Sequence, residues 1–373
     1  MASRPLDPKL EIKLTSLLET LIDQRAARVL VAPYDNAPGY WFGGGNMARG
    51  PGGTLWLVGR YRNAGDSTTG LEAGARGLEL ALFASEDGGD SFAKTKSWTK
   101  AELSCGGAKV LSIEGSALHF TEGGDCELYL SSEKEAAYPE DVAQFQKPGT
   151  GIWSIDVITS SAEEDLDAGA IRPVLSHPAD PCYLHLKDPV VFDGARGATI
   201  LVFCSHPFLW SSSNSGYAAR PRGEAAFDVV SWEMVSRGPA WDVAGTRVTC
   251  RMPVPRVGAF RDRPPVSVYF YDGLECVRQL DAHSRAVARP RGYSCEELGG
   301  ACYGADDSFP SMTRLSRQLP LFVSPYGTGC SRYVDVLVDE DGLLATWQQG
   351  REDGSQPLVG NRLPMADVAR LLS

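Results

Sequence analysis

The sequence predicts an all-β fold, a five-bladed β-propeller with an N-terminal amphipathic helix, and three observations predict it. Forty Gly and 24 Pro are spread along the chain together with eight Trp, 13 Tyr and 13 Phe, a composition that suits many short strands joined by turns. Apolar residues alternate with period two over most of the chain, and helical windows are few. A unit made of a short strand, a Gly-containing turn and a second apolar strand recurs five times, and radial repetition of small antiparallel sheets is how a propeller is built.

The elements follow in order. Asp7-Pro8 is a helix start, and Leu10, Leu14, Leu17, Leu18, Leu21 and Ile22 recur at helical spacing, so one amphipathic helix is expected over residues 8–26. Its apolar stripe is expected to pack on the outside of the main body, with a partner subunit as the sharper alternative. This divides the chain into a helical extension, 1–27, and a single propeller domain, 28–373. The hairpin units are GGNMARGPGGTLWLVGRY (44–61), EGSALHFTEGGDCELYLSS (114–132), DPVVFDGARGATILVF (188–203), a longer unit over 242–273, and RYVDVLVDEDGLLATWQ (332–348). A second short helix, MADVARLLS, closes the chain.

In a propeller the starts of the innermost strands converge at one mouth of the central channel. Residues 44, 114, 188, 242 and 332 are therefore expected to meet there, which brings Glu114, Asp188 and Asp242 into one pocket with Arg332. An unpaired charge at the start of a buried strand is costly, so a ring of acids points to chemistry on a polar ligand rather than to packing.

The formal charge of −11 argues against nucleic acid and anionic membranes as partners, since both call for a basic face. A small neutral or polar ligand fits better, and oligomeric state is open. Nine cysteines without a CxxC pair or a Cys/His zinc spacing suit reduced thiols. With no leader-like segment or membrane-length apolar run, the expected location is cytoplasmic.

At these positions the chain resembles a known group. IEGSALHF at Glu114 and LKDPVVF at Asp188 are similar to the acid-bearing strand starts of the five-bladed propeller glycoside hydrolases of families 43, 62, 32, 68 and 130. The resemblance implies cleavage of a glycosidic bond, of a terminal sugar, by paired carboxylates. It departs from the group in having Gly44 where the first blade usually carries an aspartate. SEDGGDSF, residues 85–92, matches the Asp-box of sialidase-like propellers, a turn held by an Asp side chain.

Glycosidic cleavage needs one carboxylic acid beside the leaving oxygen and one carboxylate acting on water or on the anomeric carbon. On that basis Glu114, with its longer reach, is expected to be the general acid, Asp242 the base or nucleophile, and Asp188 the neighbour that tunes them. Arg60, His119, His206, Trp210 and Arg332 are the expected substrate contacts. In YSCEELGG one of Glu296 and Glu297 is expected to face inward, with Glu296 as the reserve carboxylate; Asp35 is a second reserve. No organic cofactor is expected and no metal ligands are named, although such propellers leave room for a structural Ca²⁺. Two alternatives stand beside the hydrolase: a sialidase-like enzyme in which Arg60 and Arg332 hold the carboxylate of an acidic sugar, and a non-catalytic carbohydrate-binding propeller.

Overall fold

The computed structural model describes residues 5–63, 77–104, 108–176, 180–274 and 297–373. Five antiparallel sheets follow one another along the chain. Blade one sets the short strands β2 (Trp41–Gly43) and β3 (Met47–Arg49) against β4 (Leu55–Arg62), followed by β5 (Glu79–Ser85) and β6 (Ala93–Thr99). Blade two runs outward through β7 (Val110–Phe120), β8 (Cys126–Lys134), β9 (Ile152–Ser160) and β10 (Arg172–Leu175). Blade three is β11 (His185–Asp193), β12 (Thr199–His206), β13 (Asn214–Arg220) and β14 (Asp228–Val235). Blade four is β15 (Gly245–Pro253), β16 (Val266–Leu274), β17 (Leu298–Ala305) and β18 (Thr313–Arg314).

Blade five closes the ring. It contains β19 (Ser331–Val338), β20 (Gly342–Gln349) and β21 (Leu358–Pro364), and its outermost strand is β1 (Arg28–Val31), with Val29 opposite Val359. The core is divided accordingly. Separate apolar clusters lie between blades one and two, two and three, three and four, four and five, and five and one. Each sheet thus buries both faces, one against each neighbour, and this leaves the inner edges free to be polar.

The N-terminal helix, α1 (Pro8–Leu21), is five residues shorter than its apolar stripe predicts. Asp7 caps it by accepting from Lys9 N, and Asn361 Nδ2 donates to the Leu21 carbonyl at its end. The Asp23 carboxylate then takes Arg25 N and Ala26 N, turning the chain toward β1 instead of continuing the helix. Leu10, Leu14, Leu17, Leu18 and Leu21 are buried with the short helix α2 (Met365–Leu371) in the cluster between blades four and five. The stripe therefore packs on its own propeller.

The turn at 85–92 joins β5 to β6. Asp87 accepts from the backbone N–H groups of Asp90 and Ser91, and Ser85 Oγ accepts from Gly89 N. It lies on the outer half of blade one, and it fixes a turn rather than a site.

Leu18 is fully buried whereas Ile12, on the same helix, is 69% exposed. Leu18→Ala should lower unfolding stability by about 2–5 kcal/mol and Ile12→Ala by no more than about 0.5 kcal/mol, read from denaturant midpoints. Equal effects would mean that the stripe is not seated on the propeller.

Candidate active site

Every inner strand breaks its pairing register at one level. The breaks fall between Gly43 and Met47, Ile113 and Ser116, Lys187 and Val190, Val248 and Cys250, and Arg332 and Asp335. A bulge re-aims the side chain it carries, so five breaks at one level form a ring. Glu114 and Asp188 occupy two of them, as their place in the repeat predicts.

Asp188 has φ +54°, a left-handed backbone uncommon for a residue other than glycine and costing about 1–2 kcal/mol. Three donors hold it there. Its Oδ1 accepts from Gly115 N at 3.1 Å and from Tyr333 Oη at 3.2 Å, and Oδ2 lies 3.4 Å from Arg247 Nη1. The Asp188 N–H itself donates to Ser131 Oγ. Gly115 is required: a Cβ there would sit 2.5 Å from Asp188 Oδ1. The carboxylate at the start of a buried strand is thus a fastening between blades two, three, four and five.

Glu114 meets a different set. Its Oε2 accepts from Arg60 Nε and Nη2 at 2.9 and 2.7 Å, and Lys187 Nζ lies 3.7 Å from Oε1. Burial pushes the Glu114 carboxyl up, but Lys187, Arg60 and Arg62 outweigh it and hold the group well below the usual carboxylate range. This charge state suits a base or nucleophile, not the proton donor expected from its reach. Lys187 Nζ in turn lies over Trp153 and Trp210, at 4.7 and 5.4 Å from the ring centres.

On the opposite side Arg247 joins Asp188 to Asp272 and Glu297, with Nη2 2.7 Å from Asp272 Oδ2 and 2.9 Å from Glu297 Oε2. Arg332 also binds Glu297. Burial raises Glu297, and Arg247 and Arg332 bring it well below the usual range. Burial pushes Asp272 up to about 6 against the pull of Arg247. Tyr333, with φ +54°, donates its N–H to Asp272 and has the guanidiniums of Arg247, Arg60 and Arg332 at 4.0, 5.5 and 5.6 Å from its ring centre. Trp41 has Arg62 and Arg332 over its ring at 4.1 and 4.4 Å.

The expected ring of acids is therefore a mesh of acids and cations, and Arg60 and Arg332 belong to it. Asp242 does not. It precedes β15 and is buried between blades three and four, where its Oδ2 accepts from Tyr271 Oη and Arg314 Nε. The residues at the break of blade four are Val248 and Thr249, so the apolar run was aligned one segment too early. His119 is also elsewhere: it lies on β7 beyond the break, between Glu127 and Asp193. Five residues at about 3.3 Å each carry it some 16 Å from Glu114 toward the other end of the channel. Asp35 is exposed and bonds to the adjacent Asn36 N–H. Glu296 lies outside the described residues, whereas its neighbour Glu297 is in the mesh.

His206 and Trp210 stand at the rim. His206 donates from Nδ1 to the Ser212 carbonyl, and burial beside Lys187 and His185 pushes its pKa well below the ordinary histidine value, so the ring is neutral. Trp210 stacks on His185 and touches His206, at 4.3 and 4.5 Å between ring centres. Sequence reasoning missed Lys187, Arg247, Asp272 and Tyr333 as site residues. A charge amid apolar strand residues in GTRVTC and FYDGL was the available signal. Below the breaks a cavity of about 140 Å³ is lined by Asp188, Tyr333, Thr249 and Asp335. Among the described residues no group of three or more His, Cys, Asp or Glu side chains is placed to hold a metal ion, and no helix is long and apolar enough to cross a membrane.

No protein-family model matches the chain, and no curated protein does. Solved structures resemble it along nearly its whole length. An α-L-arabinofuranosidase from Lactobacillus brevis is 11% identical, with 91% of this chain and 93% of that one covered at a TM-score of 0.57. A β-1,2-mannobiose phosphorylase from Listeria innocua, in complex with β-1,2-mannobiose, is 12% identical over 92% and 96%, with a TM-score of 0.54. A thermostable family-43 glycoside hydrolase is 10% identical over 89% and 91%, with a TM-score of 0.52. Identities this low establish the shared five-bladed propeller, an architecture that these enzymes of glycoside chemistry have in common with this chain.

Asp335 accepts from Met47 N at 2.7 Å, and burial pushes its carboxyl up to about 6. A raised carboxyl binds its proton more tightly in the folded chain. Its contribution to stability is full below the ordinary value of about 3.9 and is lost as pH rises through about 6. Asp335→Asn, whose Oδ1 can still accept from Met47, should therefore gain stability relative to the unaltered protein between pH 4 and pH 7, by about 1–3 kcal/mol. A pH-independent difference in denaturation midpoints would contradict this.

Proposed function

We propose that the chain is a glycoside hydrolase acting at the mouth of the propeller. The observation that carries the reading is the pairing of Glu114 with Lys187: an ionised carboxylate with an open face, beside an ammonium group held against two indoles. In this reading Glu114 acts on water or on the anomeric carbon. The bond from that carbon to the leaving oxygen breaks, water supplies the hydroxyl that replaces it, and the proton of that water ends on the leaving oxygen. Lys187 stabilises the charge that develops on the leaving oxygen. Asp188, its oxygens taken by Gly115, Tyr333 and Arg247, is a positioning residue. Glu297 is the second carboxylate with an open face.

The propeller shared with enzymes described as an arabinofuranosidase and a mannobiose phosphorylase makes α-L-arabinofuranosides and β-mannosides the first substrates to test, the latter with and without inorganic phosphate. An acidic sugar is the second reading, favoured by the three guanidiniums around Tyr333. Each of them already meets a carboxylate, which puts a neutral sugar first. Uronosides and sialosides belong in the same screen, and exclusive turnover of these would select the second reading.

Two outcomes are expected. Glu114→Gln should lower kcat on aryl and alkyl glycosides alike, by about 10²–10⁴-fold; loss confined to alkyl glycosides would make Glu114 the proton donor after all. Because Glu114 and Glu297 are both held ionised, protonation of the leaving group is the weaker half of the chemistry. Across a series of aryl glycosides, kcat should then rise steeply as the leaving group becomes more acidic, and a flat series would show that a protonated acid is at work.

A further inference from the structure

The mouth has an apolar flank that the chemistry above does not use. Phe145, in the connection from β8 to β9, is 46% exposed, and Leu209, in the connection from β12 to β13, is 54% exposed. Both connections follow strands that run up to the mouth, since β8 and β12 are antiparallel to the inner strands β7 and β11. Phe208 joins them, its ring 5.1 Å from that of Phe145. Next in the chain stands Trp210, and Lys187 Nζ lies over its ring, 3.7 Å from Glu114. Phe145 and Phe208 thus meet ring to ring, and two residues on in the chain Trp210 bears the Lys187 that neighbours the reacting carboxylate.

The flank is built rather than incidental. Gln146 staples the connection that carries Phe145 by accepting from Tyr138 N and donating to the carbonyls of Ala136 and Thr150. Tyr138 Oη meets His185 Nε2 at 3.1 Å, and His185 is the ring on which Trp210 stacks. Phe208 N donates to the Pro181 carbonyl. Trp210 itself has φ +55°, a genuine outlier for a bulky residue, and backbone strain of this kind concentrates at functional sites.

We infer that Phe145, Phe208, Leu209 and Trp210 form the seat of the leaving group, and that this group is an alkyl or aryl aglycone rather than a further sugar. The inference rests on the hydrolase reading, which places Lys187 at the leaving oxygen. The rings of Phe145 and Phe208 are tilted by 57° and Leu209 is aliphatic, so these three do not supply the flat face on which a sugar ring stacks. Exposed hydrocarbon beside a polar mouth gains by covering hydrocarbon.

The test compares methyl and hexyl glycosides of the sugar that the screen selects, in the unaltered protein and in the Phe145→Ser, Leu209→Ser double variant. The two alkyl leaving groups have similar acidity, so the chemistry is matched. The hexyl-to-methyl ratio of kcat/KM should be about tenfold or more in the unaltered protein and close to one in the double variant. A ratio near one in the unaltered protein, a ratio that survives the substitutions, or a gain shown by disaccharide glycosides instead would overturn the assignment. Binding of 1-hexanol, followed by tryptophan fluorescence, gives a readout that needs no turnover. Saturable binding that is lost in the double variant supports the apolar seat even if every glycoside proves inert, in which case the hydrolase reading alone fails; no binding by the unaltered protein overturns the seat.

Discussion

The mouth of this propeller depends on the guanidinium of Arg247. It is buried, and it contacts carboxylates of three separate segments: Asp188 at the break of blade three, Asp272 on the neighbouring strand of its own blade, and Glu297 ahead of β17. It also lies over the ring of Tyr333 from blade five. A buried charge is tolerated only when it is paired and hydrogen-bonded, and here the requirement is mutual. Without Arg247 three acids would face one another; without the acids a guanidinium would be stranded. Asp188 keeps its left-handed backbone because its oxygens are engaged in this way, and Gly115, hence Glu114, is set by Asp188.

Much of this arrangement was legible in the sequence, and the reasons for the rest are physical. The hairpin repeat placed Glu114, Asp188 and Arg332 correctly because a break in a strand has a local signature, a charge or glycine in front of an apolar run. Blade four carries its charge one segment later than expected, at Arg247 in GTRVTC. Its break is Val248 and Thr249, and its acid, Asp272, comes from the second strand, so Asp242 offered a false match. Glu297 is in the mesh, but which of two adjacent acids faces inward is decided by pairing with distant strands, which the local sequence does not carry. Of the cations, Arg60 and Arg332 were expected at the mouth, whereas Lys187 and Arg247 were not. Arg60 reaches the mouth from β4 and Arg247 from β15, and long side chains from different strands converge only once the blades are set around a common axis.

The chain as a whole carries a formal charge of −11, yet Arg60, Arg62, Lys187, Arg247 and Arg332 are gathered at one end of its channel among Glu114, Asp188, Asp272 and Glu297. In a site screened from water by aromatic walls, such fixed charges act at closer to full strength than they would on the surface. Division of the apolar core into five wedges makes this affordable. Hydrophobic burial is completed between blades, and the axis is left to polar groups.

The seam in blade five has a consequence for how the molecule is made. β1 is synthesised before the other described strands, and its partner β21 after all of them. Until then the first blade lacks its neighbour on one side, the cluster that Val31 joins lacks Leu358, and α1, whose leucines fill the space between blades four and five, has no surface to dock on. Closing a loop of this length costs entropy that no earlier contact along the seam offsets. The nascent chain therefore emerges as an open arc with bare strand edges at both ends, and such edges invite pairing with other chains. The first described strand along the chain is the last to be fitted, and it acts as the latch of the ring.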